Sequence, residues 1–170
     1  TTGAAQRLAD WLATLREADW ASITLIHNAG VIAHIAPLSG VPTADLCNAL
    51  RVGLEAPMAL TGVFLAATDG WAIPKKVLNI SSGLGRRPMA SQAAYCTAKA
   101  GMDAYARCVA LEEATKPHGA KIVSLAPGVI DTDMQTTLRS ADAKDFPDVA
   151  NFSAMHEGGR LSTPHDAAAK

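Results

Sequence analysis

Tyr95 and Lys99 lie four residues apart, a spacing that places two side chains on one helix face, a turn apart. A free phenol titrates at about 10, so at neutral pH it holds its proton. A cationic ammonium close by stabilises the phenolate and lowers that value. The pair is therefore a candidate general acid/base for work near neutral pH. Ser82 lies upstream, at the end of the apolar run Lys76-Val77-Leu78-Asn79-Ile80-Ser81-Ser82. Its hydroxyl is suited to hold an oxygen that Tyr95 protonates. Taken alone, the Tyr-x-x-x-Lys spacing also fits any exposed surface helix.

These residues need a helix and a strand to position them, and the pattern supplies both. Residues 93–114 read as the helix, rich in small residues (Ala93, Ala94, Ala98, Gly101, Ala104) that permit close approach to a sheet. Val77–Ile80 reads as the strand. Two more strand-like runs are present, Ser22–His27 and Lys121–Leu125, each nearly all apolar as in strands buried on both faces. Ala4–Ala18 reads as a helix with a Leu8, Trp11, Leu12, Leu15 stripe. A long apolar helix is expected from Thr43, as N-cap, to Ala67. Residues 134–160 are polar and weakly periodic, and Leu161–Ala169 reads as the capped start of a further helix.

Each strand-like run ends in a short turn: Asn28-Ala29-Gly30, Ser81-Ser82-Gly83, and Pro127-Gly128-Val129-Ile130-Asp131-Thr132. Together with Tyr95-Cys96-Thr97-Ala98-Lys99, in this order and spacing, they resemble the short-chain dehydrogenase/reductase family over nearly the whole chain. Ala56-Pro57-Met58 and the stretch from Ala126 to Gln135 are similar to its sepiapterin reductase and benzil reductase branch. The resemblance implies an α/β fold, a doubly wound parallel sheet of Rossmann type. It implies reversible hydride transfer between a nicotinamide cofactor and a carbonyl or alcohol, with Ser82, Tyr95 and Lys99 catalytic. Asn28, Ala29, Gly30, Pro127, Gly128, Ile130 and Thr132, with Tyr95 and Lys99, would hold the cofactor. The branch favours NADP (NADPH) over NAD. The family's usual chain is about 250 residues, within the range of one α/β domain. Residues 1–170 are thus expected to be a single partial NAD(P)-binding domain, without the Gly-rich phosphate loop and the C-terminal end, with 134–160 as substrate loop. A homodimer or homotetramer is expected.

Composition narrows the partners. The 170 residues are 49% hydrophobic and 18% charged, with net charge −1, as in a globular chain. Near-neutral, interspersed charge disfavours nucleic acid or an anionic membrane. The apolar run 56–67, broken by Pro57, Thr61 and Gly62, is too short to span a bilayer, and no leader peptide opens the sequence. Cys47, Cys96 and Cys108 lack metal-ligand spacing, which points to reduced thiols and the cytoplasm; Cys96 and Cys108 read as small apolar fillers. No metal site is expected.

One position departs from the family. Aligned on Ala56-Pro57-Met58, Gly53 stands where the family carries an active-site Asn, and Asn48 lies on another helix face. Pro57 has no N–H and crowds the carbonyl of residue 53, so that carbonyl is expected to be freed at a local kink and to hold a relay water near Lys99. Plain helix packing at Gly53 is the competing expectation. A catalytically weak module that uses the fold for dimerisation or regulation is the alternative function. His27 reads as structural, as does Tyr105; Arg86 and Arg87 read as solvated charges at the site edge; Phe152 and Met155 read as core.

Overall fold

In the computed structural model, which describes residues 1–169, three strands form one parallel sheet in the order β1 (Ile23–His27), β2 (Lys75–Ile80), β3 (Lys121–Leu125). Parallel neighbours require crossovers. Helix α1 (Thr2–Leu12) leads into β1, and α2 (Thr43–Leu50) and α3 (Ala56–Ala67) carry the chain from β1 to β2. Helix α4 (Ala93–Glu113) carries it from β2 to β3, and α5 (Asp133–Arg139), α6 (Val149–Glu157) and α7 (Pro164–Ala168) follow. This is the expected α/β, Rossmann-like arrangement.

Leu12 of α1, Phe64 of α3 and Val77 of β2 form a buried cluster with Leu8, Leu15, Ile23 and Leu25 around it. Each large apolar side chain so enclosed contributes about 1.5–3 kcal/mol relative to exposure. Within residues 1–169, the helices α1 and α3 pack with β2 on one sheet face. Register aligns Ile26, Leu78 and Val123 in one row of the other face, where Ile26 is 56% and Val123 54% exposed.

Other boundaries shift for local reasons. Helix α1 stops at Leu12 rather than Ala18, because the Thr14 hydroxyl donates to the Trp11 carbonyl at 2.7 Å and competes with helix continuation. Trp11 lies outside the buried stripe and is 54% exposed. Thr43 is the first helical residue of α2, not its cap, and its side chain makes no capping bond; the Pro42 carbonyl takes the first amides instead. Thr163 does cap α7, accepting from the Asp166 amide at 3.0 Å. Cys108 is exposed rather than a filler, while Cys96 is half-buried.

Strand β2 begins at Lys75, two residues before the apolar run. Lys75 is buried, and its ammonium donates to the Thr68 and Trp71 carbonyls, each at 2.9 Å. A cation there satisfies the open carbonyls at the end of α3 and complements its dipole. The helical stretch Thr43–Ala67 spans 25 residues with a mean hydropathy of 1.4 in its most apolar window. By length and composition it could cross a membrane, which the apolar run alone did not indicate. In this fold it packs against α1 and α4.

Candidate active site

Strand β2 and helix α4 bring the three chemical residues together. Ser82 leaves β2 in extended conformation, and its Oγ accepts from the Leu84 amide at 3.2 Å. That bond caps the short turn Gly83–Gly85, which packs on α4. Ala94 and Ala98 are buried on α4, and the small Ala98 lets the helix lie close to Gly53. Tyr95 and Ser82 both line one cleft, and the Ser82 hydroxyl is the polar group that acts on the Tyr95 phenol. The Lys99 Nζ lies 5.7 Å from the Tyr95 ring centroid and donates to the Ile80 carbonyl at 2.6 Å.

A cleft of about 610 Å³ opens here, beyond the carboxyl ends of the strands. Asn28 and Gly30 line it from β1, Ser82 from β2, Tyr95 and Lys99 from α4, and Pro127, Gly128, Ile130 and Thr132 from the turn after β3. A Cβ on Gly30 would stand 3.9 Å from the Lys99 Nζ. Ala29 alone of the sequence candidates does not line the cleft; it is exposed. Among the described residues there is no His/Cys/carboxylate group fit for a metal ion.

Burial pushes the Tyr95 phenol above its ordinary value, and the Ser82 hydrogen bond only partly offsets this. Burial also lowers the Lys99 ammonium, against the opposing charge of Asp103. The expected lowering of Tyr95 by Lys99 is therefore absent. The ammonium is aimed at the Ile80 carbonyl, and desolvation outweighs its field at the phenol.

A polar row beneath the cleft went unread in the sequence. His27, Asn79 and Ser124 are level across the three strands. His27 Nε2 lies 2.9 Å from Thr61 Oγ1 of α3, and Tyr105 of α4 donates to Asn79 Oδ1 at 2.8 Å. Asn79 Nδ2 in turn lies 3.5 Å from Ser124 Oγ. The row fixes both helices to the strand ends, one to three residues before the turns that carry the site. Its trace in the sequence is a polar residue at the inward position of each apolar run. His27 and Tyr105 are structural, as expected, and burial depresses His27 to about 4.

Helices α5 and α6 form one wall of the cleft. Phe146 and Phe152 meet with ring centroids 5.5 Å apart, with Met134, Met155 and Met89 packed on their cluster. Phe152 and Met155 thus pack in a core and line the cleft as well. The turn after β3 is tied down by Asp131 N to Ser162 O, 2.9 Å, and Ser162 N to Val129 O, 3.0 Å. Ser91, at φ 62°, donates to the Asp145 carbonyl and links the loop before α4 to this wall. Arg87 lines the cleft, whereas Arg86 is turned to Asp103.

The helix distortion foreseen at Gly53 is present. Arg51–Glu55 form a π turn between α2 and α3, with the Ala56 amide donating to the Arg51 carbonyl, just before Pro57, which has no amide hydrogen. Gly53 is also a packing site. A Cβ there would stand 2.9 Å from the Ala98 Cβ, and one on Gly101 would stand 2.9 Å from Leu54. Asn48 is exposed and takes no part in the site.

Comparison with known proteins agrees with this geometry. A family model described as short chain dehydrogenase matches residues 7–143. A benzil reductase ((S)-benzoin forming) of Bacillus cereus is 40% identical over 153 residues, covering 90% of this chain and 61% of that protein. The sepiapterin reductase of Meriones unguiculatus is 33% identical, over 69% of this chain and 44% of its own. A Beutenbergia cavernae protein solved with bound NADP at low occupancy superposes with a TM-score of 0.79, 30% identity, and coverage of 97% of this chain and 61% of that one. The chain thus spans about three fifths of the Bacillus cereus relative's length. On the extent of these matches, the chain belongs to the short chain dehydrogenase family and has a Rossmann-type fold.

Proposed function

We propose that the protein reduces a small-molecule carbonyl compound, taking the hydride from NADPH in preference to NADH. The observation that carries this is the meeting of Ser82, Tyr95 and Lys99 at one cleft beyond the strand ends. The residues present fit a dinucleotide. Gly30 leaves open space beside Lys99, Gly128 takes a left-handed φ of 90° with nothing around its Cβ position, and Lys99 uses one of its three N–H donors on Ile80. Lys99 would hold the nicotinamide ribose hydroxyls; Asn28 and Gly30 would line the adenosine side; Pro127, Gly128, Ile130 and Thr132 would hold the carboxamide end. When bound, the nicotinamide supplies the hydride chemistry.

The chain's own part is placement and the proton. Ser82 Oγ–H donates to the substrate carbonyl oxygen and polarises it. Tyr95 then gives that oxygen its phenolic proton as the carbon is reduced. A phenol held above about 10 keeps its proton throughout the neutral range, which suits reduction over alcohol oxidation. The methionine and phenylalanine wall suits a bulky apolar or aromatic carbonyl substrate. Two Bacillus relatives bear the name benzil reductase, which supports an aromatic diketone. The bound NADP of the Beutenbergia cavernae neighbour supports the cofactor. Near-neutral charge and three free cysteines support a cytoplasmic homodimer or homotetramer without nucleic-acid or membrane partners. The Gly53 carbonyl, in its π turn, is proposed to hold a relay water towards Lys99.

The test is NADPH and NADH oxidation, followed by absorbance, on full-length protein with aromatic diketones and simple ketones. Faster turnover with NADPH and a diketone is expected. Gly53 in place of the family Asn favours a second reading, a catalytically weak structural module. Folded protein that binds neither cofactor would establish that reading instead.

A further inference from the structure

Asp103 lies one helical turn beyond Lys99 on α4, on the same face. Its carboxylate is buried, and its Oδ1 has no hydrogen-bond partner. The turn Gly83–Gly85 seals it from water. A Cβ on Gly85 would fall 3.0 Å from Asp103 Oδ2 and 3.1 Å from the Lys99 carbonyl, so only glycine lets the turn sit this low. One cation reaches it from outside: Arg86 Nε, 4.0 Å from Oδ2, on a side chain 69% exposed. A buried ionised carboxylate without a close partner is costly to maintain. No step in the chemistry above uses it.

We propose that Asp103 is a positioning residue for Lys99, a sealed countercharge one helical turn away that steadies the Lys99 ammonium beside the Ile80 carbonyl. Lys99 is mostly out of water and loses hydration that one carbonyl cannot replace. Asp45, Arg51, Glu55 and Lys121 lie on elements packed against α4, and Tyr95 and Arg86 flank the pair. Of the carboxylates among these and Asp103, Asp103 is the buried one, on the helix face of Lys99. Arg86 competes for the same carboxylate from the solvent side, so it tempers the field that Lys99 feels.

The catalytic consequence rests on the reductase reading above, so the test carries a readout that does not depend on it. In full-length protein with ¹³Cε-labelled lysine, the Lys99 resonance is assigned by its loss in Lys99→Met and titrated by NMR. Asp103→Asn, close to isosteric, is expected to lower the Lys99 titration point by about one pH unit, the low end for loss of an adjacent opposite charge. Arg86→Ala is expected to raise it, and its exposed side chain can be removed without touching the core. The alkaline limb of NADPH-dependent reduction should move the same way in each variant. An unchanged Lys99 titration in folded Asp103→Asn overturns the proposal, whether or not the protein reduces benzil. Should Asp103→Asn fail to fold, a Lys99 titration unchanged or lowered in Arg86→Ala overturns it equally. A shifted titration with no turnover in any variant upholds Asp103 and removes the reductase reading.

Discussion

The Lys99 ammonium donates to the Ile80 carbonyl at 2.6 Å, which joins α4 to the end of β2, two residues before Ser82. The bond sets the height of Lys99 beside Tyr95 while leaving two N–H donors for a ligand. Lys99→Met should lower turnover at least about 100-fold, the low end for loss of an acid/base group's support. Its unfolding free energy should fall by about 1–3 kcal/mol, the loss when a partly buried carbonyl is left without its donor. Steady-state kinetics beside urea unfolding separates the two effects.

Tyr105 spans α4 and β2 through Asn79. In Tyr105→Phe the buried Asn79 Oδ1 loses its donor, a loss of about 1–3 kcal/mol. The variant should unfold at lower urea with an unchanged slope, and Phe64→Leu, remote from the row, serves as a comparison for plain core loss.

His27 gives stability a defined pH dependence. Its folded-state value is about 4, against 6.5 unperturbed, so the fold holds it neutral. The contribution is complete above 6.5, where neither state is protonated. As pH falls from 6.5 to about 4 the unfolded chain gains a proton that the folded one refuses, and stability declines. The full loss approaches about 3 kcal/mol. Urea midpoints across that range should fall more steeply for the wild type than for His27→Asn, which cannot titrate.

Gly53 and Ala98 meet so closely that a methyl on Gly53 would stand 2.9 Å from the Ala98 Cβ. Gly53→Ala should therefore destabilise the protein by about 1–3 kcal/mol, as overpacking does. Gly53→Ala with Ala98→Gly should recover most of it, read as a coupling in a double-mutant cycle.

The parts legible in the sequence share one property: short-range spacing decided them. Tyr95 and Lys99 meet because they are a helical turn apart, Thr163 caps α7 for the same local reason, and Pro57 announced the distortion at Gly53. What escaped was long-range. Lys75 looks like loop until the carbonyls of Thr68 and Trp71 fold back on it. Ile26 and Val123 read as doubly buried, since an apolar strand looks alike whether one face is covered or two. The shift at Tyr95 went the other way from expectation, because spacing shows that two groups are neighbours but not how dry their surroundings are.

The most direct test of the account is reduction of benzil by NADPH in full-length protein, wild type against Tyr95→Phe, with cofactor binding measured in both. The account expects wild-type turnover, a loss of about 10²–10⁴-fold in Tyr95→Phe, and cofactor affinity that changes little. Turnover equal in the two proteins would contradict it, because the proton would then come from a group other than Tyr95.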